Sequence, residues 1–422
     1  PPRSDRVDPA IPLEAQVREV DTALRAAVRR QMTFDLPTGA LLSGGIDSSL
    51  IVALLQSEAG ERIKTFTIGF EDAAADESAH AREIARHLGT EHHELLVTAA
   101  MALGQIPQLP ALLDEPMGDS SQIPTLCALG FARQHVAVAF GGDGADELFG
   151  GYGRYRRLAG TWAAARWLPS PLRKAASAAA GSRLGDAIAS LAGSRGAAAL
   201  HKARYYLPRI AYSNSERDLY FSMLVQWARA DLVGNLPGPS IAQVHRVMDR
   251  ASSAAFVPFM METDAVTYLP DDVMVKVDRA AMTQALETRA PFLDHQVVEL
   301  SSRLPLAGKL AKRGGKLVLR DCLARHIPRE LFERPKHGFN VPVDTWLRGP
   351  LREWAESLLD KLRLDSEGHF ESSVVRSAWS DHLAGRANNG HQLWSILMFQ
   401  AWLDNLPSSA LEPVMQSRDL GS

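Results

Sequence analysis

Leu41-Leu42-Ser43-Gly44-Gly45-Ile46-Asp47-Ser48-Ser49 is the stretch that decides the fold of this 422-residue chain. Residues 39–42 predict a short buried strand, and residues 48–55 predict the first turns of a helix. The Ser-Gly-Gly turn between them lets the backbone approach an anion closely, because glycine has no Cβ and tolerates positive φ. The helix start then directs free N–H groups and its dipole at that anion. The stretch therefore predicts a loop that binds pyrophosphate.

The residue types of this loop indicate ATP chemistry at the α-phosphorus. A Walker loop needs Gly-Lys-Ser/Thr and a dinucleotide turn needs Gly-x-Gly-x-x-Gly, and the loop has neither pattern. The Asp47 carboxylate would repel phosphate, so we expect it to bind the Mg²⁺ that accompanies the nucleotide. The residues expected to hold ATP here are Leu42, Ser43, Gly44, Gly45, Asp47, Ser48 and Ser49. The alternative is an ordinary strand-turn-helix with small residues at the bend.

The composition is that of a soluble globular enzyme, with 46% hydrophobic and 23% charged residues. A net charge of −3 gives no electrostatic case for nucleic-acid binding. The two cysteines, Cys127 and Cys322, are too few for a disulfide framework, and they fit a reducing cytoplasm. We expect no membrane segment, because charged residues interrupt the alanine-rich run 175–200, and no signal peptide is visible at Pro1.

Strand and helix patterns alternate along the first third of the chain. Strand candidates are 40–42, 65–69, 93–97 and 136–140, and helical patterns cover 13–32, 48–59, 77–88 and 123–134. This alternation predicts an α/β fold, a parallel twisted sheet with helices on both faces, followed by a mostly α-helical half. We expect a linker remnant at 1–12, an ATP-binding half at 13–152, a helical half at 153–406 and a flexible tail at 407–422.

A second dense cluster runs from Phe140 to Tyr152 and repeats the order of strand, glycine turn, acidic residues and helix. Three carboxylates around a glycine turn are unfavourable unless a cation neutralises them. Ligands of parallel sheets bind at the carboxyl ends of strands, so Asp146 is expected to share a Mg²⁺ site with Asp47. The alternative is a solvated helix N-terminus, where the helix dipole favours acids in any case.

With both clusters in view, the chain resembles the synthetase domain of the glutamine-dependent asparagine synthetase family over roughly residues 13–405. Further stretches carry the resemblance in the same order, and they are Phe66–Phe70, His87–His93, Leu269–Asp272, Lys276–Arg279, Leu286–Asp294, Gly315-Lys316 and Arg334–Phe339. The resemblance implies the adenine-nucleotide alpha-hydrolase-like fold of the PP-loop ATP pyrophosphatases. It is least specific across residues 155–260.

The resemblance also implies roles for individual residues. The Ile68 backbone would meet adenine, and Lys336 would reach the α-phosphorus and the departing pyrophosphate. Asp143 occupies the position of a proton shuttle that is glutamate in many members, and Gly141, beside Gly142 in the nucleotide pocket, stands where serine is usual. Residues 114–121, with Asp119 and Ser120, would border the carboxylate substrate.

The reaction that the resemblance implies is ATP-dependent amide formation. A carboxylate, aspartate by first expectation, would be adenylated with release of pyrophosphate, and ammonia would then give the amide and AMP. Lys276, Arg279 and Arg289 are the cations available to an acidic substrate, with Glu287 beside them. Arginines next to acids are as often structural ion pairs, and that alternative stays open.

Three further alternatives stay open. The family begins with a glutaminase domain, whereas this sequence begins Pro1-Pro2-Arg3, so that unit is expected to have been removed, encoded separately or lost. The acid could be a sugar acid or a β-lactam or peptide precursor. The chain could also be a non-catalytic nucleotide-binding subunit. A homodimer is left open, and neither nucleic acid nor membrane is an expected partner.

Overall fold

The computed structural model describes residues 11–32, 35–71, 76–182, 193–227, 232, 255–311, 314–334 and 341–407. The strands are β1 (Thr38–Leu41), β2 (Lys64–Phe70), β3 (Glu91–Val97), β4 (Val138–Phe140), β5 (Glu287–Arg289), β6 (Leu310–Ala311) and β7 (Gly314–Gly315). The helices around the sheet in the first part of the chain are α1 (Leu13–Gln31), α2 (Ile46–Glu58), α3 (Ser78–Leu88), α4 (Ala99–Gln105), α5 (Gln122–Arg133) and α6 (Ala145–Phe149).

The rest of the described chain is mostly helical. The helices are α7 (Gly153–Ala165), α8 (Ser170–Gly181), α9 (Gly193–Tyr212), α10 (Glu216–Leu224), α11 (Phe256–Val266), α12 (Val275–Thr283), α13 (His295–Arg303), α14 (Leu306–Lys309), α15 (Leu317–Leu323), α16 (Val343–Arg348), α17 (Arg352–Leu358), α18 (Lys361–Glu367), α19 (Ser372–Leu383) and α20 (Gly390–Asn405). Short 3₁₀ turns cover Ile106–Ala111, Pro291–Leu293 and Arg329–Leu331, and a π-helical turn covers Leu269–Met274. Within the described ranges, no helix has both the length and the apolar character that crossing a bilayer requires.

Five parallel strands form the main sheet in the order β3-β2-β1-β4-β5. This confirms the predicted α/β fold with a parallel sheet and flanking helices. Four strands and the helices α1, α2, α3 and α5 fall close to their predicted positions. The fifth strand is a finding, because β5 lies far along the chain and its three residues, Glu-Thr-Arg, carry no apolar signal.

The strand order reverses between β1 and β4. After β1 the chain adds β2 and β3 on one side, and it then returns to place β4 on the other side, where Ala40 pairs with Phe140. The carboxyl ends of β1 and β4 are therefore neighbours, and ligands in open α/β sheets bind at such a reversal. Both glycine turns predicted from the sequence lie at this point.

Alternate residues of β4 face two different cores, as the two-residue period of a strand requires. Val138 and Phe140 pack with α1, α2, α13 and α15, whereas Ala139 packs with α5, α12 and the C-terminal helices α16–α20. The helix α2 lies deep in the first core, because its residues Leu50–Leu55 are apolar all round and all buried. Helices thus cover both faces of the central strands, and the cavity described below opens at the strand ends.

A third core lies next to α6 and is built from α7, α9, α10 and α11. Asp264 on α11 is fully buried there and accepts hydrogen bonds from Tyr155, at 2.6 Å, and from Tyr220. The Arg154 guanidinium donates to the same carboxylate at 2.7 Å. These charge-assisted bonds hold the start of α7 against α11. The boundary at residue 152 stays a prediction, and most of the predicted linker and tail lies outside the described residues.

Candidate functional site

The turn after β1 has the shape predicted for a phosphate-binding loop. The Ser43 and Ser48 hydroxyl oxygens lie 3.0 Å apart, and the Gly45 N–H donates to Ser43 Oγ at 3.3 Å. Gly44 has φ +71°, and an added Cβ would lie 2.7 Å from Nη2 of Arg334, which donates to the Gly44 carbonyl. Only glycine fits this crowded left-handed position. The turn thereby leads into α2 with its first N–H groups free of helical partners.

A cavity of about 430 Å³ opens at the carboxyl ends of β1, β2 and β4. This size is within the range of small-molecule sites. One wall is apolar and suits an adenine ring, and it includes Leu42, Phe66, Ile68, Phe70, Ala128 and Leu129. The phosphate turn and the acidic turn contribute Ser43, Gly45, Asp47, Ser48, Gly141, Gly142, Asp143 and Asp146. A third group, from α5, its preceding loop and α12, includes Asp119, Ser121 and Lys276.

Lys316 joins the two acidic clusters. Its Nζ atom lies 2.5 Å from Asp47 Oδ2 and 2.6 Å from Asp146 Oδ1, and only 5% of its side chain is exposed. Lys316 belongs to the Gly315-Lys316 stretch of the family resemblance, which implied no role for it. The structure therefore places a buried cation between the two carboxylates that the sequence predicted to share a cation.

The backbone around Lys316 is built to bring its side chain to this position. Lys316 has φ +60°, in the left-handed region that non-glycine residues rarely adopt, and its N–H donates to the Phe149 carbonyl at 3.1 Å. A Cβ on Gly315 would overlap the Gly150 carbonyl oxygen, and a Cβ on Gly151 would overlap Asp146 Oδ1 and Lys316 Cε. Non-glycine residues keep such backbone conformations where the surrounding structure enforces them, often at functional sites.

Gly151→Ala is expected to displace the Asp146–Lys316 pair and lower the rate of ATP turnover about a hundredfold, because catalytic groups misplaced by about 1 Å lose about that much. The matched control is Gly160→Ala on α7, where an added Cβ meets nothing within 4 Å. Steady-state kinetics and thermal unfolding of both variants test this expectation. Wild-type turnover by Gly151→Ala would show that the pair is not needed.

Gly141 and Asp143 depart from the family pattern together. A Cβ on Gly141 would lie 2.6 Å from Asp143 Oδ2, so the Asp143 carboxylate fills the space that a side chain at 141 would need. The Gly141 N–H donates to the Arg289 carbonyl at 2.8 Å and extends the β4–β5 pairing. That N–H is thus used by the sheet, and the missing side chain at Gly141 makes room for the Asp143 carboxylate.

Glu147 is the third acid of the Phe140–Tyr152 cluster, and it lies deeper in the cavity wall than Asp143 and Asp146. It is buried, and its Oε1 accepts a hydrogen bond from the Tyr152 hydroxyl at 2.5 Å. Burial, with a smaller contribution from Asp146 and Asp264, raises the pKa of the Glu147 carboxyl from 4.5 to about 7. A carboxyl with this pKa exchanges protons near neutral pH, which is what a general acid or base requires.

The raised pKa of Glu147 predicts a pH-dependent stability. Between pH 4.5 and about 7 the folded carboxyl is protonated and the unfolded one is ionised, so stability falls as pH rises through this window. Relative to Glu147→Gln, the wild type is expected to lose about 1–3 kcal/mol of unfolding free energy between about pH 5 and pH 8. Urea denaturation at the two pH values measures this difference, with Glu14→Gln on the exposed face of α1 as control. An unchanged difference would contradict the burial argument.

The third group of the cavity pairs Lys276 with Asp119, and the Asp272 carboxyl neighbours Asp119 without lining the cavity. Lys276 Nζ lies 2.7 Å from both Asp119 Oδ2 and Ser121 Oγ. Burial, and then the neighbouring Asp119 carboxylate, raise the pKa of Asp272 to about 6. The arrangement offers an ammonium and a pair of carboxylates close together, which suits a ligand that carries both charges.

Several predicted site residues lie away from the cavity wall in the described part of the chain. Ser49 and Ser120 are buried behind it, and Gly44 contributes through the shape of its turn. Arg279 pairs with Asp114 at 3.6 Å. Arg289 on β5 donates to Glu287 and to the Gln31 carbonyl. Both arginines, Arg279 and Arg289, therefore make the structural ion pairs that were the alternative to a role in substrate binding. Lys336 lies outside the described residues.

The carboxylates of Asp47 and Asp146 fit a Mg²⁺ site by their chemistry and position. They are hard oxygen donors that both contact the Lys316 ammonium, and both line the cavity beside the phosphate turn. The described residues contain no group of three or more His, Cys, Asp or Glu side chains that could hold a metal ion. Mg²⁺ is usually bound by one or two carboxylates together with waters and substrate phosphates, so two carboxylates suffice for such a site.

Comparisons with known proteins agree with this geometry. Residues 19–404 match the family model described as Asparagine synthase. A "Putative asparagine synthetase [glutamine-hydrolyzing]" of Mycobacterium tuberculosis is 33% identical over 92% of this chain and 58% of its own length. "Asparagine synthetase [glutamine-hydrolyzing] 1" of Bacillus subtilis is 30% identical over 92% and 59%, respectively. "Amidase chyE" of Penicillium rubens is 25% identical over 86% and 57%.

The chain spans less than three fifths of the length of each of these relatives. The match nevertheless covers almost all of the chain, and it includes the phosphate turn, the acidic turn and the segment that carries Lys316. The chain belongs to the asparagine synthase family.

Proposed function

We propose that the chain is an ATP-dependent carbon–nitrogen ligase that adenylates a carboxylate and then converts it to an amide. Membership of the family supports a ligase-type enzyme that uses ATP. The observation that carries the proposal is the convergence of Asp47, Asp146 and Lys316 beside the phosphate turn. A nucleotide whose pyrophosphate lies on that turn would place its α-phosphorus next to the third group of the cavity.

The proposed first step forms an acyl-adenylate. An oxygen of the substrate carboxylate attacks the α-phosphorus, and the bond to pyrophosphate breaks. Lys316 then stabilises the charge that builds on the leaving pyrophosphate, and the Ser43 and Ser48 hydroxyls hold it in the turn. A Mg²⁺ ion bound by Asp47 and Asp146 would supply Lewis-acid stabilisation of the same phosphates. Lys336 is proposed as a second cation near the α-phosphorus.

The proposed second step transfers nitrogen. Ammonia attacks the acyl carbon, AMP leaves, and the attacking nitrogen loses a proton. Asp143 is the proposed acceptor of that proton, with the Glu147–Tyr152 pair behind it on the same wall of the cavity.

The names of the two bacterial relatives include glutamine hydrolysis. We therefore expect a glutaminase unit to supply the ammonia, and we place the reaction in the cytoplasm, where ATP is available.

The proposed acid is aspartate, and the third group of the cavity supports it. Lys276 is the cation on the cavity wall that can pair with a substrate carboxylate, whereas Arg279 and Arg289 lie away from it. Asp119 on the cavity wall can receive an ammonium group next to that lysine, with the Asp272 carboxyl adjoining Asp119. An amino acid with a second carboxylate satisfies all of these groups, and a sugar acid without an amine does not.

Lys276→Met is expected to raise KM for the acid tenfold or more, with a smaller change in kcat. The reason is that a hydrogen bond between a charged side chain and the bound substrate contributes about 1.5–3 kcal/mol. Arg279→Met serves as the control, since its guanidinium is partly exposed and pairs with Asp114. Acid-dependent ATP consumption measures both variants. Equal KM values for Lys276→Met and the wild type would remove Lys276 from the substrate site.

ATP–pyrophosphate exchange across a panel of carboxylic acids, with ammonia withheld, tests the proposed function. Exchange that depends on aspartate supports the full proposal. Exchange with a different acid would keep the adenylation but change the product. AMP release is then measured with ammonia added, to cover a site in which the amine must bind first. ATP binding without exchange or AMP release for any acid would favour the non-catalytic subunit.

A further inference from the structure

The segment that follows the acidic turn has a charge unlike the rest of the protein. Residues 153–213, which span α7, α8 and α9, contain eleven Lys and Arg residues and one acid, Asp186. Their formal charge is thus +10, although the whole chain carries −3. Arg154 pairs with buried Asp264. Arg173 and Arg209 donate to carbonyl oxygens, and Arg166 and Lys174 lie over aromatic rings.

Large apolar side chains are exposed within this basic segment. Trp167 and Tyr212 are each 74% exposed, Leu172 is 57% exposed and Leu168 is 47% exposed. They lie among the cations, since the Arg166 guanidinium is 4.9 Å from the Trp167 ring and Lys174 Nζ is 5.5 Å from the Tyr212 ring. We call these residues, Arg166, Trp167, Leu168, Leu172, Lys174 and Tyr212, the basic patch. Exposed apolar clusters rimmed by charge typically mark interaction sites.

The basic patch is held in place by bonds between its helices. Arg173 on α8 donates from Nη1 to the carbonyls of Ile210 and Ser213, at 3.1 and 3.0 Å, and its guanidinium lies 5.9 Å from the Trp162 ring of α7. The α7–α8 turn and the end of α9 therefore form one surface. α7 begins one residue after Tyr152, which lines the cavity, so this surface is fixed to the wall of the candidate active site.

We propose that the basic patch docks the protein on the surface of a membrane rich in anionic phospholipid. Basic side chains near an anionic bilayer are attracted to its headgroups, and Trp and Leu side chains insert at the boundary with the acyl chains. The patch supplies both, with Arg166 and Lys174 beside Trp167, Leu168 and Leu172. This association is peripheral and needs no membrane-spanning helix.

The aliphatic members of the patch favour a bilayer over nucleic acid. A nucleic-acid surface would use the same cations and could stack bases on Trp167, but Leu168 and Leu172 have no role on a phosphate backbone. At a bilayer, both leucines bury apolar area together with the indole ring. The proposal stands independently of the ligase function.

Cosedimentation with vesicles tests the proposal directly. The protein is expected to bind vesicles of phosphatidylcholine with phosphatidylglycerol and not vesicles of phosphatidylcholine alone, and the binding should weaken as salt is raised. Arg166→Glu with Lys174→Glu is expected to lower the partition coefficient about tenfold or more. Trp167→Ser with Leu172→Ser should also lower the partition coefficient. This variant keeps every charge, so its loss measures the insertion of apolar side chains apart from charge attraction. Leu362→Ser is the matched control, because Leu362 is 78% exposed on α18, away from the patch.

Three results would overturn the proposal. The first is an absence of binding to anionic vesicles at low salt. The second is equal binding by the wild type and the folded Arg166→Glu, Lys174→Glu variant, with folding checked by thermal unfolding. The third is tighter binding to a DNA duplex than to anionic vesicles, lost in the same variant, which would assign the patch to nucleic acid.

Discussion

Lys316→Met is expected to lower kcat/KM for AMP formation by a factor on the order of 10²–10³. Lys316 supplies a buried positive charge that pairs with Asp47 beside the phosphate turn, and removing one preorganised charge of this kind lowers the rate by about that factor. Because the ammonium acts on the leaving group in the transition state, kcat should fall more than KM rises. Steady-state kinetics with ATP varied at saturating acid measure both constants.

The control for this result is Lys309→Met. Lys309 is also buried, but it is not the lysine that pairs with Asp47 and Asp146, so Lys309→Met reports the effect of removing a buried lysine on folding alone. Lys316→Arg should recover part of the rate, because it restores the charge without the geometry of a single ammonium. Wild-type kcat/KM in a folded Lys316→Met protein would show that the lysine neutralises the two carboxylates and takes no part in the reaction.

Asp47→Asn is expected to lower the rate by a similar factor and to raise the Mg²⁺ concentration required for half-maximal activity tenfold or more. An amide keeps the shape of the carboxylate but loses the negative charge that attracts the cation. Lys316→Met should not weaken Mg²⁺ binding, because it removes a positive charge close to the same carboxylates. In one Mg²⁺ titration, Asp47→Asn should therefore raise the Mg²⁺ requirement and Lys316→Met should not.

Asp143→Asn is the control for this titration. Asp143 lines the same cavity, but we propose it as a proton acceptor, so its Mg²⁺ requirement should match that of the wild type. The double variant Asp47→Asn, Lys316→Met should lose less than the product of the two single losses, because the two side chains are in contact. A Mg²⁺ requirement unchanged by Asp47→Asn would remove this carboxylate from the proposed metal site.

Local patterns in the sequence predicted the parts of the fold that local physics determines. The apolar run before Ser43 and the Ser-Gly-Gly turn predict a strand, a turn and a helix start, and the structure has β1, the loop and α2 at these positions. Phe140 to Tyr152 repeats the same order, and β4 and α6 follow it. The adjacency of both turns at one edge of the sheet then follows from the parallel topology.

The remaining features depend on contacts between distant segments, which one sequence does not display. β5 is three polar residues long, and it forms a strand only because β4 provides an edge to pair with. Lys316 reaches Asp47 across 269 positions of the chain, and the packing of Gly315 on Gly150 brings it there. The pair Gly314-Gly315 before a lysine was the available signal, since adjacent glycines permit close approach of two backbones.

The nucleotide products of the reaction test the central claim most directly, because the account assigns the chemistry to the α-phosphorus of ATP. The protein is incubated with ATP, Mg²⁺, aspartate and ammonium, and the products are identified by phosphorus NMR. The account predicts AMP and pyrophosphate in equal amounts, formed only when the acid is present. Formation of ADP and inorganic phosphate would contradict it.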